Sequence, residues 1–429
     1  HVKQKISLMI DYNMLSLINK NIRGGISMAM LRYSESNNKY LKGGYDPDKG
    51  DAIYNVFIDV NSLYGYTMTN NKLPVSDYEF LENEQFEEIK RTILNVPRDG
   101  EFGYILICDI DYPEELHDSH NSFPFLCEHM KLSGVQKLVL NLNHKRNYCA
   151  HYLIIQQAVA HGLILKEIHK IIRFRQTFWL KSYIDHCSVL RQKPENTEFQ
   201  KNLYKNLQNC VFGKTIESSQ NHKNVKLMIN WNNRGNRFGA VRYLKDPRFR
   251  SFTIFNENLV AIELQRTVVK YDKPTICGFV ILDLSKHHMY DFFYNFIRKK
   301  IERPLVSVGY IDTDSFILNS RIDFYKIIKE NPEYYDTSDY SRENIFGITQ
   351  QNRKVPGLFS DECKGLVIKR FVALKAKSYA IEMETTDGLK LIKKLKSVNK
   401  AVSKGLMFED FENVWRNRNA VYLRMMSIF

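Results

Sequence analysis

The chain has 429 residues, with 62 lysines and arginines against 48 aspartates and glutamates and a formal net charge of +14. A hydrophobic content of 44% excludes wholesale disorder, no run approaches the roughly 18 apolar residues of a membrane-spanning helix, and seven cysteines without a CxxC pair argue against zinc and disulfide frameworks and fit a reducing compartment. The length suits two to four domains or subdomains, and the charge favours a polyanionic partner, nucleic acid ahead of an acidic membrane surface.

No signal peptide opens the chain, and His1 in place of Met reads as a fragment, a processed product or an incomplete gene model. Residues 1–50 are mixed and polar, and Gly24-Gly25 permits a sharp bend or a close backbone approach to a phosphate. An apolar strand over 53–58 ends in Asp59. An aspartate at the end of a buried strand is costly unless it is paired or metal-bound. The stretch 78–177 reads as alternating short elements: a helix over 82–93, a strand over 102–110, a loop over 118–124, and an amphipathic helix over 148–161 stopped by Gly162. His117, His120 and His129 do not have zinc-site spacing and read as polar loop residues.

Leu180, Tyr183, Ile184, Cys187 and Leu190 predict a helix over 178–191, broken by Pro194. Thr197 and Gln200 form a capping box that starts a second helix. On it Lys201, Lys205, Asn209 and Phe212 fall in one stripe, poor as core and well suited to clamping a triphosphate, with Lys193 at the turn before them. The basic stretch 215–250, with Arg237 among its cations and Trp231, Phe238 and Tyr243 interleaved, suits a single-strand groove or a strand-separating hairpin, or else a solvated hairpin. Strands are expected over 259–265 and 276–282, then a helix begun by Ser285 with Met289, Phe292, Phe293, Phe296 and Ile297 as its apolar stripe.

The apolar run 305–308, the polar Asp312-Thr313-Asp314 and the apolar run 316–318 predict a β-hairpin with two aspartates at its tip. Like charges so close raise one pKa unless a cation shares the site. Hard oxygens at this spacing suit Mg²⁺, and a second strand ending in Asp59 completes a two-metal site for in-line displacement at phosphorus. Residues 323–356 read as helical and loop-like, and 357–369 as strand material around a turn. Lys375, Lys377 and Tyr379 alternate as if on one face of a strand, and 393–411 is again lysine-rich.

Asp59-x-x-Ser62-Leu63-Tyr64, Lys205-x-x-x-Asn209-x-x-Phe212-Gly213 and Tyr310-x-Asp312-Thr313-Asp314-Ser315 resemble, in that order, motifs A, B and C of family B DNA polymerases. The branch most resembled is the protein-primed one of phages, linear plasmids and self-synthesising (Polinton/Maverick-type) transposons. The resemblance implies an α+β right-hand fold: an antiparallel palm sheet flanked by helices, helical fingers and a partial thumb. It divides the chain into 1–77, leading into the palm with motif A; 78–177, an insertion that contacts a priming protein and the template-primer; 178–214, the fingers; 215–250, a basic hairpin-like insertion; 251–392, palm with motif C and a KxY element; and 393–429, the partial thumb.

The implied reaction is transfer of a nucleotidyl group from a dNTP to a primer 3′-OH. Asp59 and Asp314 would hold two Mg²⁺, with Mn²⁺ as an alternative, Asp312 as an auxiliary carboxylate and the Val60 carbonyl as a backbone ligand. Ser62, Leu63, Tyr64, Lys193, Lys201, Lys205, Asn209 and Phe212 would bind the nucleotide, Tyr64 stacking under the sugar to exclude a 2′-OH. Gly24, Gly25, Thr313, Lys375, Lys377 and Tyr379 would touch DNA. The implied partners are template-primer DNA, dNTPs and a terminal priming protein, with no membrane. The family's 3′–5′ exonuclease finds no room before Gly24, so no proofreading is expected. The chain departs from the family pattern at Ile22 (commonly Tyr), Gly65 (Pro), Cys210 (Ser), Phe212 (Tyr) and Ser397 (Gly). A non-catalytic nucleic-acid-binding remnant is the alternative; a reverse transcriptase would carry two adjacent aspartates instead of Asp-Thr-Asp.

Overall fold

The computed structural model describes residues 2, 4–234, 238–418 and 420–422; Arg237 of the basic stretch lies outside them. A six-stranded sheet carries the aspartates, in the order Ser27–Ala29, Val306–Asp312, Ser315–Ser320, Tyr54–Val60, Phe359–Asp361, Tyr335–Asp336. All its pairs are antiparallel except the last. Tyr54–Val60 is buried almost throughout, which is why its sequence does not alternate apolar with exposed polar residues; it is apolar apart from Asn55 and Asp59. The α+β class expected from the sequence holds.

Beneath the sheet runs Thr275–Tyr290, a helix buried along almost its whole length, continued by a π-helical turn over Asp291–Ile297. The strand expected over 276–282 is therefore a helix. It packs against Tyr12–Lys20, Leu63–Asn70, Leu73–Phe80, Tyr152–Ala160 and Glu198–Thr215. Contacts on every side leave 276–282 without a polar residue, and such a run has no helical period to read.

The 78–177 region is built on a four-stranded antiparallel sheet in the order Leu73–Phe80, Ile164–Thr177, Phe102–Asp111, Lys145–His151. The helix expected over 148–161 is shorter. Cys149, Ala150 and His151 pair with Ile107, Leu106 and Ile105, and the helix begins at Tyr152. Tyr148, Cys149 and Ala150 at the end of the strand run on into an apolar helix with no turn signal between them. This region shares one hydrophobic core with the aspartate sheet.

Asn224–Met228, Leu259–Leu264 and Phe249–Asn256 form a separate three-stranded sheet, so the basic stretch pairs with residues beyond position 250. A last four-stranded sheet, Gly388–Leu395, Ser378–Thr385, Ile368–Lys375, Tyr33–Glu35, lies beside the aspartate strands and carries the helix Phe408–Asn417. Phe57, Tyr310, Ile317, Phe371, Tyr379 and Ile381 form the core between the two sheets. Here too the sequence misled. Lys375, Lys377 and Tyr379 do not share one strand face: Lys375 pairs with Ser378 across a hairpin, with Lys377 in its turn at φ +58°. No glycine or asparagine marks that turn. The contacts of Lys377 described below hold it in the left-handed region instead.

Candidate active site

Antiparallel pairing sets Asp59 opposite Ser315, at the mouth of the hairpin that carries Asp312 and Asp314. The turn is pinned from three sides. Asp314 N–H donates to the Asp312 carbonyl at 2.8 Å, Val60 N–H donates to the Asp314 carbonyl at 2.8 Å, and Thr313 N–H donates to the Ile26 carbonyl at 2.6 Å. Thr313 is held at φ +67°. The two outer aspartates, far apart in the chain, are thereby brought to one cleft of about 460 Å³.

The three carboxylates are not equivalent. Asp312 is buried and ion-paired with the Lys377 ammonium, while its other oxygen lies 3.5 Å from the Lys394 ammonium. Among the described residues no lysine or arginine forms an ion pair with Asp59 or Asp314. Burial pushes the Asp59 carboxyl up to about 8, helped by the charges of Asp314 and Glu362 and opposed by Lys205 and Lys394. Asp314 is likewise raised by burial and by Asp312. Two half-buried carboxylates that repel each other and have no directly paired cation are a hard-oxygen site suited to a divalent ion. Among the described residues no set of three or more His, Cys, Asp or Glu could hold a metal, so an ion here would complete its shell with backbone, water or substrate oxygens.

After Asp59 the chain turns through Ser62, at φ +50°, into the helix Leu63–Asn70. A side chain at Gly65 would run into Ser62 Oγ, so this turn is closed by the serine folding over a glycine. Leu63 is in the core, which leaves only its backbone for a ligand. Tyr64 stacks on Phe212 with ring centroids 4.2 Å apart and planes at 19°.

Phe212 comes from the helix Glu198–Thr215, which starts with the expected capping box and lies against Lys181–Gln192. Lys205 is exposed on it, and its charge acts on Asp59. Asn209 is exposed as well, whereas Lys201 is bridged to Glu198 at 2.9 Å and Lys193 lies 3.9 Å from Glu195. On the opposite side Lys377 N–H donates to Tyr310 Oη at 2.8 Å, Tyr379 lies 5.0 Å from the Tyr310 ring, and Lys375 is exposed. Gly25 lies against the Thr313 side chain, and Gly24 faces open space.

Sequence reasoning missed Glu362 and Lys394, which line the same cleft. Glu362 follows the short buried strand Phe359–Asp361 and belongs to no motif; Lys394 is one of a run of lysines and reaches the cleft only because it pairs with Tyr379. His117 and His120 share the short helix His117–His120, where a loop was expected, and both pack on the Tyr112 ring, with His120 Nδ1 2.8 Å from Tyr112 Oη; His129 Nε2 is elsewhere, 3.2 Å from the Ile22 carbonyl.

The family of type B DNA polymerases, organellar and viral, matches residues 8–299, a span that includes Asp59 and the Lys205 helix and ends before the Asp312 hairpin. No curated relative matches the sequence. Among solved structures, phi29 DNA polymerase with primer-template DNA superposes with a TM-score of 0.57 at 16% identity, over 96% of this chain and 59% of that one. Its ternary complex with primer-template DNA and incoming nucleotides gives 0.57 at 15% identity, again over 96% and 59%. The chain thus spans 59% of the length of phi29 polymerase and shares its polymerase-type fold. With the family matched over most of the chain and the two outer aspartates set at one cleft, this protein belongs to the type B DNA polymerases of the organellar and viral kind.

Proposed function

We propose that the chain is the polymerising core of a DNA-directed DNA polymerase, adding dNTPs to a primer 3′-OH under the direction of a template and releasing pyrophosphate. The observation that carries this reading is the pair of half-buried carboxylates, Asp59 and Asp314, which form no direct ion pair among the described residues while their neighbour Asp312 is paired with Lys377. Family membership implies dependence on a divalent metal, and the donor set fits two Mg²⁺, with Mn²⁺ as an alternative and the Val60 carbonyl as a further ligand. Bound there, the ions supply the charge that activates the primer hydroxyl and offsets charge on the β- and γ-phosphates.

The residues around them do the rest. Lys205 faces the triphosphate, and Lys201 and Lys193 exchange their glutamate partners for phosphate oxygens. Tyr64 lies under the sugar and excludes a 2′-OH, Phe212 lines the nascent base pair, and Ser62, the Leu63 backbone and Asn209 complete the nucleotide pocket. Gly24, Thr313, Lys375, Lys377 and Tyr379 lie along the primer-template, with Lys377 shared between the primer and Asp312. Phi29 polymerase is seen with primer-template DNA and incoming nucleotides, and the same ligands are proposed here. On this reading 78–177 docks a priming protein, 178–214 are the fingers and 393–429 lead into the thumb.

A proofreading nuclease is not part of this proposal for the described residues. The acidic pair outside the cleft, Asp109 and Asp111, is already used: hydrogen bonds from Asn147 and His169 hold Asp109 low, and Arg146 and Lys166 hold Asp111 low.

The test is extension of a labelled primer on a defined template with one dNTP at a time in Mg²⁺ or Mn²⁺. Only the complementary dNTP should be added. A folded chain that adds none, or adds all four alike, would overturn the proposal.

A further inference from the structure

We infer that the loop over 22–26, with the buried ion cluster behind it, is a bracket that sets the position of the Asp312–Asp314 turn, and that Gly25 and Lys286 are its positioning residues. Its kinetic readout rests on the proposed polymerase reaction.

Three charged side chains meet where a core is expected. Lys286 and Asp283, one turn apart on Thr275–Tyr290, are 6% and 5% exposed, and Arg23 is 8% exposed. The Lys286 ammonium donates to the Arg23 carbonyl at 2.8 Å and to the Leu282 carbonyl at 3.1 Å, and lies 3.8 Å from Asp283 Oδ1. Asp283 Oδ2 accepts the His151 N–H at 2.9 Å. The Arg23 guanidinium lies 3.9 Å from the centroid of the Tyr148 ring and donates to the Cys149 carbonyl at 2.7 Å. One cluster therefore ties the loop to the central helix and to the strand Lys145–His151. Buried ion groups are poor sources of stability compared with apolar packing, and fixing geometry is a known use for them.

From Arg23 the path to the aspartates is short. Ile26 accepts the Thr313 N–H, and Ser27 pairs with Asp312. Between these anchors the Thr313 side chain, displaced by its positive φ, occupies the space that a side chain at position 25 would need. Gly24 has nothing within 4 Å, so the steric demand falls on Gly25 alone. The paired glycines thus have separate roles: the second lets the loop close against the turn.

The experiment is a cycle of parent, Gly25→Ala, Thr313→Gly and the double variant, read by single-turnover extension rate, primer-template Kd, and amide hydrogen exchange over 310–315. Gly25→Ala should slow the rate by about ten- to a hundredfold with Kd held within about threefold. In the Thr313→Gly background, where the obstructing side chain is gone, the same change should cost less than about threefold. Exchange at 313 should rise in Gly25→Ala and return in the double variant. An equal loss in both backgrounds, or an effect on Kd alone, overturns the bracket. If Gly25→Ala does not fold, Lys286→Met takes its place and should slow extension and loosen 310–315 at unchanged dNTP KM; unaltered exchange there overturns it. If the parent extends no primer, the polymerase reading fails, and the exchange data alone decide the bracket.

Discussion

Across the cleft from the aspartate turn lies the exposed face of Glu198–Thr215, and the two differ in how far their groups are already engaged. At the turn, backbone hydrogen bonds, two lysines on Asp312 and a neighbouring loop fix the carboxylates before any ligand arrives. On the helix, Lys205 and Asn209 are exposed and Lys201 is held only by a surface pair with Glu198, the kind of pair worth about 0–1 kcal/mol. Rigid placement suits groups that must meet the reacting atoms within a fraction of an ångström. Loose placement suits groups that must first capture a charged substrate and then close on it.

The comparison breaks most visibly at Asp314. Asp314→Asn keeps the shape of the turn and should drop primer extension below about one per cent of the parent rate, with DNA affinity within about threefold. Faster extension would remove Asp314 from the metal pair. On the helix side, Lys205→Ala should lower kcat/KM for dNTP by about ten- to a hundredfold, through both constants, because a cation facing phosphate acts in the ground and transition states. A loss confined to DNA affinity would move Lys205 out of the nucleotide pocket.

The lysines beside the turn sharpen the contrast. Lys375 is exposed, and Lys375→Ala should flatten the dependence of log K for DNA on log salt by about one unit. Lys377 already holds Asp312, so Lys377→Ala should flatten it by less and lower kcat by a few-fold as Asp312 loses the nearer of its two lysines. Equal slopes for the two variants would show that Lys377 is free in solution.

The smallest effect is on stability. In the folded chain Asp59 keeps its proton up to about 8, against an ordinary value of 3.8. Between those values the folded state binds more protons than the unfolded one, so stability falls as pH rises through this range. Without metal, Asp59→Asn should raise Tm at pH 8 by about 1–4 °C, and Mg²⁺ should raise the parent's Tm more at pH 8 than at pH 5.5. A destabilised Asp59→Asn would mean that Asp59 has a partner in the folded chain.

What the sequence made legible follows from what local chemistry can encode. Asp59, the Asp312–Asp314 hairpin and the Thr197 capping box are each written in neighbouring residues, and each stands where expected. Residues 276–282 were misread because a helix packed on all sides has no polar face. The Lys375–Ser378 hairpin was missed because its turn is held by Tyr310 and Asp312, some 65 residues away in the chain. Glu362, Lys394 and the Arg23–Asp283–Lys286 cluster share that character: each matters through a register or a burial that only the folded chain defines.

The stacked rings of Tyr64 and Phe212 join the helix Leu63–Asn70 to the helix Glu198–Thr215. On the proposed function, the empty enzyme keeps its own aromatic plug where sugar and base will lie. An arriving nucleotide has to part a contact of about 0.5–1.5 kcal/mol and replace it with its own stacking. Substrates are thus compared with an internal competitor rather than with water, and one that fails to wedge the rings apart leaves the latch shut before any phosphorus chemistry begins.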